Sequence, residues 1–157
     1  MTFLVIFSLI IAALFAVAFF SKRRVGVAGL ALAAGAMLAS MWVGDVTPFI
    51  VQAGIVIVKP PLESVVTAAL TLLPAVMVLF VGATYKSTVQ RVIGSALFAL
   101  FAVALLLPSI GAALVIDTAG KPLFDFFNEY RTLIVTIGLV FSVLDIIFVK
   151  IPKPSKH

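Results

Sequence analysis

Residues 2–20 carry no charged side chain, the chain then turns through Ser21-Lys22-Arg23-Arg24, and residues 25–43 are uncharged again. The pattern recurs at 64–83, at 92–116 and, with a single carboxylate, at 132–149. As helices rising ~1.5 Å per residue, such segments reach roughly 27–37 Å, the scale of a ~30 Å hydrocarbon core. Hydrocarbon offers the backbone no hydrogen-bond partner, so only helices or closed barrels can cross it. Barrel strands are ~9–11 residues with alternating polarity; these segments are longer and continuously apolar. The sequence therefore predicts an all-α, polytopic helical membrane protein with spans at about 2–20, 25–43, 64–83, 92–116 and 132–149. With 64% hydrophobic and 11% charged residues and a mean hydropathy of +1.32, residues 1–157 read as one integral membrane domain. Asp145 makes the last segment costlier to insert, and the alternative is four spans with that segment on the membrane surface. The basic cluster follows the first apolar segment, which argues against a cleaved signal peptide.

The charge of +5 is a topology signal, and nucleic acid is not expected as a partner. In the five-span arrangement Lys22, Arg23, Arg24, Lys86, Arg91, Lys150, Lys153 and Lys156 share one side. Lys59, Lys121 and Arg131 fall on the other. Basic residues favour the cytoplasmic side, so the expectation is an amino terminus outside and a carboxyl terminus inside. Trp42, Tyr85 and Tyr130 lie at or just beyond predicted span ends, where amphipathic rings suit the headgroup region.

Between the second and third spans, Pro48 and the pair Pro60-Pro61 bound an apolar stretch too short to cross. Residues 48–58 are expected to form a short helix, interfacial or re-entrant, with Pro48 in its first turn and the later prolines stopping it. Gln52 interrupts its apolar surface, so the stretch either packs between helices or lines a passage.

Chemistry-bearing residues are few. The chain has no cysteine and one histidine, His157, and Asp145 is the only carboxylate inside a predicted span. No catalytic group, cofactor or metal site is expected. Asp145 is read as a carboxylate near the headgroups, paired with Lys150, Arg91 or the Ser-Lys-Arg-Arg turn, so that Asp145→Asn should be tolerated; proton coupling is the alternative. Pro74 and Pro108 each free a carbonyl four residues back, at Leu70 and Ala104, and should bend their helices. The second span carries Gly29, Ala33, Ala36 and Ser40 on one side and Ala31, Gly35 and Ala39 on another, allowing close backbone approach to neighbouring helices or a second copy. Leu30, Met37 and Met41 form a third side, expected to face lipid. The polar residues available to a passage are Gln52, Thr67, Thr71, Thr136 and Ser142.

The hairpin with a basic turn followed by glycine ("SKRRVGVAGL"), the Pro-bounded segment, and the basic loop entering an Arg-x-x-Gly helix start ("YKSTVQRVIGSALFALFAVALLL") together resemble the colicin V production protein family of bacterial inner membranes. Arg24, Gly26, Arg91 and Gly94 are the matching positions. The likeness covers roughly residues 1–115, after which the chain departs from the family with an additional apolar segment. The resemblance implies a non-enzymatic inner-membrane protein linked to toxin export or envelope integrity. Membrane lipids, and a homo-oligomer or another membrane protein, are the expected partners on the strength of the apolar spans and the small-residue faces of the second span. A small oligomeric channel or transporter is the alternative.

Overall fold

The computed structural model describes residues 2–55, 57, 59–81, 84–85 and 87–148. Lys86, Lys150, Lys153, Lys156 and His157, and the end of the fifth predicted span, lie outside the described residues. The elements are α1 (Thr2–Ser21), α2 (Val25–Gln52), α3 (Leu62–Leu79), α4 (Thr88–Ala113), α5 (Lys121–Glu129) and α6 (Arg131–Ile147). Four of them are long and apolar enough to cross a membrane, and five crossings result if α5 and α6, which meet at 57°, form one broken span.

α4 is the centre of the bundle and touches each of the other five helices. Its inward residues from Gly94 to Ile110 are nearly all buried. α1 is apolar on all sides yet buries only Phe3, Phe7 and Ala18, a stripe at helical spacing laid on α4; Val5, Leu9, Val17 and Phe20 are exposed. A helix apolar all round with one packed stripe suits a lipid surround.

α2 uses two of its faces. Gly35 lies against α3, where a Cβ would collide with the Thr71 carbonyl and come within 2.8 Å of the Leu70 oxygen. Leu70 is the residue whose carbonyl Pro74 leaves without an amide, so the freed oxygen faces the side of α2 on which Gly35 carries no side chain. The Gly26 and Gly29 face meets α6, with a Gly29 Cβ running into the Ser142 hydroxyl. Met37 and Met41 are 70% and 72% exposed, on the side expected to face lipid.

The expected separate helix at residues 48–58 is not what the structure places there. α2 continues through Pro48 to Gln52 and ends as Ala53 and Gly54 donate to Phe49 and Val51, with Gly54 at φ +90°. A proline within a helix removes one hydrogen bond, whereas leaving the helix early would strand several backbone groups beside hydrocarbon. The buried residues of α2 end at Ala39, so the continued part from Gly44 to Gln52 is held by its own backbone bonds and stays exposed or half-buried. At 28 residues the helix is ~42 Å long, more than the hydrocarbon needs.

The short helix lies later in the chain, where the sequence reads as a loop. Asp117 starts it, its Oδ1 accepting from the Gly120 amide at 2.8 Å. α5 then turns Phe124 onto Phe3 and Phe127 onto Phe7, both edge-to-face, with centroids 6.1 and 5.2 Å apart.

Candidate functional site

The end of the bundle carrying the Ser21–Arg24 turn is tied together through the backbone. Lys22 adopts a left-handed φ of 57°, an uncommon state for a side-chain-bearing residue. Its carbonyl accepts from the Tyr85 amide at 3.1 Å, and Arg23 forms an isolated bridge with Thr84. The turn between α1 and α2 is thus joined to the loop between α3 and α4.

α2 begins there with Arg24 at its N-cap position, and no side chain of that turn caps the helix. Its first amides find partners from elsewhere in the chain. Gly26 donates to Asp145 Oδ2 at 2.9 Å, and Val25 donates to the Tyr85 hydroxyl at 3.4 Å. The Tyr85 hydroxyl in turn donates to Asp145 Oδ2 at 3.3 Å. The other carboxylate oxygen pairs with Arg24 Nη2 at 3.4 Å, and the Arg24 guanidinium sits 5.6 Å from the Tyr85 ring centre. An anionic side chain from α6 thereby performs a capping task normally done within a helix's own first turn. Burial is the main influence pushing the Tyr85 phenol up to about 12, and the nearby Asp145 charge acts in the same direction.

Two glycines make room for this cluster. A Cβ on Gly26 would lie 2.9 Å from the Asp145 side chain, and one on Gly94 would strike the Tyr85 hydroxyl. Arg24, Gly26, Gly94 and Asp145 therefore meet around Tyr85. Arg91 shares this end but not the ion pair: its guanidinium stacks 4.2 Å from the Phe19 ring centre. Asp145 is paired with the basic turn, as one of the expected partners, but its side chain is only 6% exposed, so it is turned into the bundle and not toward the headgroups. Tyr85 likewise points inward instead of joining an interfacial belt. An open cleft of about 340 Å3 adjoins the cluster, with Gln90, Ile93 and Phe148 along its walls.

The remaining candidates lie apart. Gln52 is exposed at the far end of α2 and lines no passage among the described residues. Pro74 and Gly35 belong to the contact between α2 and α3. Pro108 belongs to a second polar contact that sequence reasoning half anticipated: the carbonyl it frees, at Ala104, accepts from Arg131 Nε at 3.0 Å. Arg131, expected in an outer loop, instead begins α6 beside the middle of α4. The free carbonyl was legible four residues before the proline; its donor, 27 positions away, was not.

Three hydroxyls of the spans are turned back on their own helices, whereas Ser95 Oγ in α4 and Thr47 Oγ1 in α2 are buried with no hydrogen-bond partner among the described residues. Thr67 donates to Glu63, Thr136 to Thr132 and Ser142 to Gly138, at 2.7–2.8 Å. Thr71 is buried against Gly35. No group of three or more potential metal ligands occurs among the described residues.

Fold and site define an all-α, polytopic helical membrane protein whose second helix is capped by its last. Compared with protein-family models, curated proteins and solved structures, the chain matches none of them.

Proposed function

We propose that this chain is a non-enzymatic protein of the bacterial cytoplasmic membrane, serving toxin export or envelope integrity as the resemblance to the colicin V production family implies. Its amino end is outside and its carboxyl end inside. The observation that supports the reading is the disposition of polar groups: the hydroxyls of Thr67, Thr136 and Ser142 bond to their own helices, while the strongest polar cluster closes a helix end. The residues bearing the resemblance, Arg24, Gly26, Arg91 and Gly94, gather at that same end, which supports a shared architectural role. Lys22, Arg23, Arg24 and Arg91 lie there together, in keeping with a cytoplasmic face.

The channel or transporter reading draws on the break between α5 and α6, because interrupted spans often hold transported ions. Proteoliposomes separate the two. The proposal expects proton, potassium and small-dye flux equal to that of protein-free vesicles, and loss of the chain in cells to raise detergent sensitivity or reduce toxin export. Flux above the protein-free level would overturn it. Reporter fusions after Lys156 and within residues 117–129 should report opposite sides of the membrane.

A further inference from the structure

α1 and α3 both pack on α4, and toward the end of the bundle opposite the basic turn the three leave a groove of about 390 Å3 between them. Ile10 of α1, Ala68 and Leu72 of α3 and Leu106 and Ile110 of α4 form its apolar walls. From the start of α3 at Leu62 to Leu72 the groove runs roughly 15 Å, which is the depth of one leaflet of a ~30 Å hydrocarbon core. Two hydroxyls interrupt the walls. Ser64, two residues into α3, and Ser109, four residues before the end of α4, both line the groove and are each 8% exposed. Neither hydroxyl has a hydrogen-bond partner among the described residues, and neither bonds back to its own helix as Thr67 does. The oxygens of Ser95 and Thr47 are sealed within the protein, whereas those of Ser64 and Ser109 border the groove.

We propose that this groove holds one acyl chain of a phospholipid, with the Ser64 and Ser109 hydroxyls donating to the carbonyl of its ester. The apolar walls are unfavourable empty, because their atoms lose dispersion partners and they do not hold water. An acyl chain one leaflet long supplies those contacts. The hydroxyls fix which part of the lipid lies where. A buried hydroxyl without a partner is costly, and no charged side chain lines the groove to select a phosphate or an ammonium. An uncharged acceptor is what two uncharged donors suit. The hydroxyls stand ~3–6 Å inside the ends of α3 and α4 by helical rise, and in a phospholipid the ester carbonyl joins the chain to the glycerol at the top of the hydrocarbon. Chain and carbonyl thus fall at the depths of the walls and the hydroxyls respectively. This inference rests on the membrane fold and is independent of the proposed function and orientation.

The test uses the full chain in nanodiscs of equal diester and diether phosphatidylcholine, which share headgroup and chain length and differ in the carbonyls, with retained lipid counted by native mass spectrometry. The parent should retain the diester lipid about fivefold over the diether, the discrimination that one neutral hydrogen bond supplies. Ser64→Ala combined with Ser109→Ala should bring that ratio close to one while lipid is still retained. Ala68→Phe, which fills the groove and leaves both hydroxyls in place, should lower retention of both lipids, and it decides the matter alone if the double variant fails to fold. A parent without preference, a double variant with the parental ratio, or an Ala68→Phe variant with parental retention would each overturn the proposal.

Discussion

Arg131 Nε donates to the carbonyl oxygen of Ala104 at 3.0 Å, and Ala104 stands four residues before Pro108, whose missing amide leaves that oxygen without a helical partner. A side chain from the start of α6 thus completes a hydrogen bond that α4 cannot make for itself. The same contact fixes where α6 meets the middle of α4, and so where the chain bends between α5 and α6.

Arg131→Leu should lower stability in detergent by about 1–3 kcal/mol, the usual loss when a buried acceptor is left unmet. In a Pro108→Ala background an amide returns to position 108 and can reach the Ala104 carbonyl. The same Arg131 substitution should then have a smaller effect. Thermal unfolding of the four proteins measures the coupling, and strict additivity would show that the guanidinium contributes nothing through that oxygen.

The structure reverses the sequence-based expectation that Asp145→Asn is tolerated. Asparagine can keep one oxygen for Gly26, but its amide group would present a donor toward Arg24 or the Gly26 amide, and the charge facing Arg24 is lost. The expected loss is about 2 kcal/mol, typical of a hydrogen bond to a charged group. Chemical denaturation in micelles provides the comparison. A variant as stable as the parent would mean that the carboxylate's charge has no part in holding the start of α2.

Gly35→Leu should abolish most of the folded, detergent-stable protein, while Met37→Ala should leave it nearly intact. A Cβ at Gly35 has nowhere to go between the Leu70 and Thr71 carbonyls, whereas Met37 is 70% exposed. Close backbone approach is a main source of helix association in lipid, where water no longer drives apolar faces together. Recovery of monodisperse protein at equal synthesis distinguishes the two outcomes.

Tyr85 gives the cluster a signature at high pH. Its phenol is raised to about 12 in the folded chain from 10.0, so the unfolded chain loses that proton first. The stabilisation associated with keeping Tyr85 neutral is complete below about pH 10 and is lost as the pH rises toward 12. The stability difference between the parent and Tyr85→Phe should therefore shrink across that interval. A difference constant from pH 9 to pH 12 would contradict the buried hydrogen-bonded placement.

The legible part of this fold was whatever hydrocarbon dictates locally. Long uncharged runs became α1 to α4, the Gly35 and Met37 faces of α2 were separable by side-chain size, and the Ala104 carbonyl followed from helical counting back from Pro108. Contacts between remote segments were not legible in this way. The Ser-Lys-Arg-Arg turn was one of several partners available to Asp145, and no local rule placed the Tyr85 hydroxyl between that carboxylate and Val25. Residues 48–58 were misread because proline's local effect was given more weight than the backbone groups that an early helix end would leave unmet beside hydrocarbon. α5 was missed because its charged and aromatic residues alternate over only nine positions, too short a stretch for hydropathy to single out.

The capping of α2 by Asp145 also sets an order of events during synthesis. The amides of Val25 and Gly26 leave the ribosome more than a hundred residues before the carboxylate that receives Gly26, since 119 positions separate that pair. Until α6 is inserted, the amino end of α2 must borrow water or headgroup oxygens, and the α1–α2 turn has to wait near the membrane surface. Final docking of the last helix then displaces those temporary partners. Chains halted before α6 should consequently present an unfinished helix end to the quality-control proteases of the membrane, even though four of their long apolar helices are already in place.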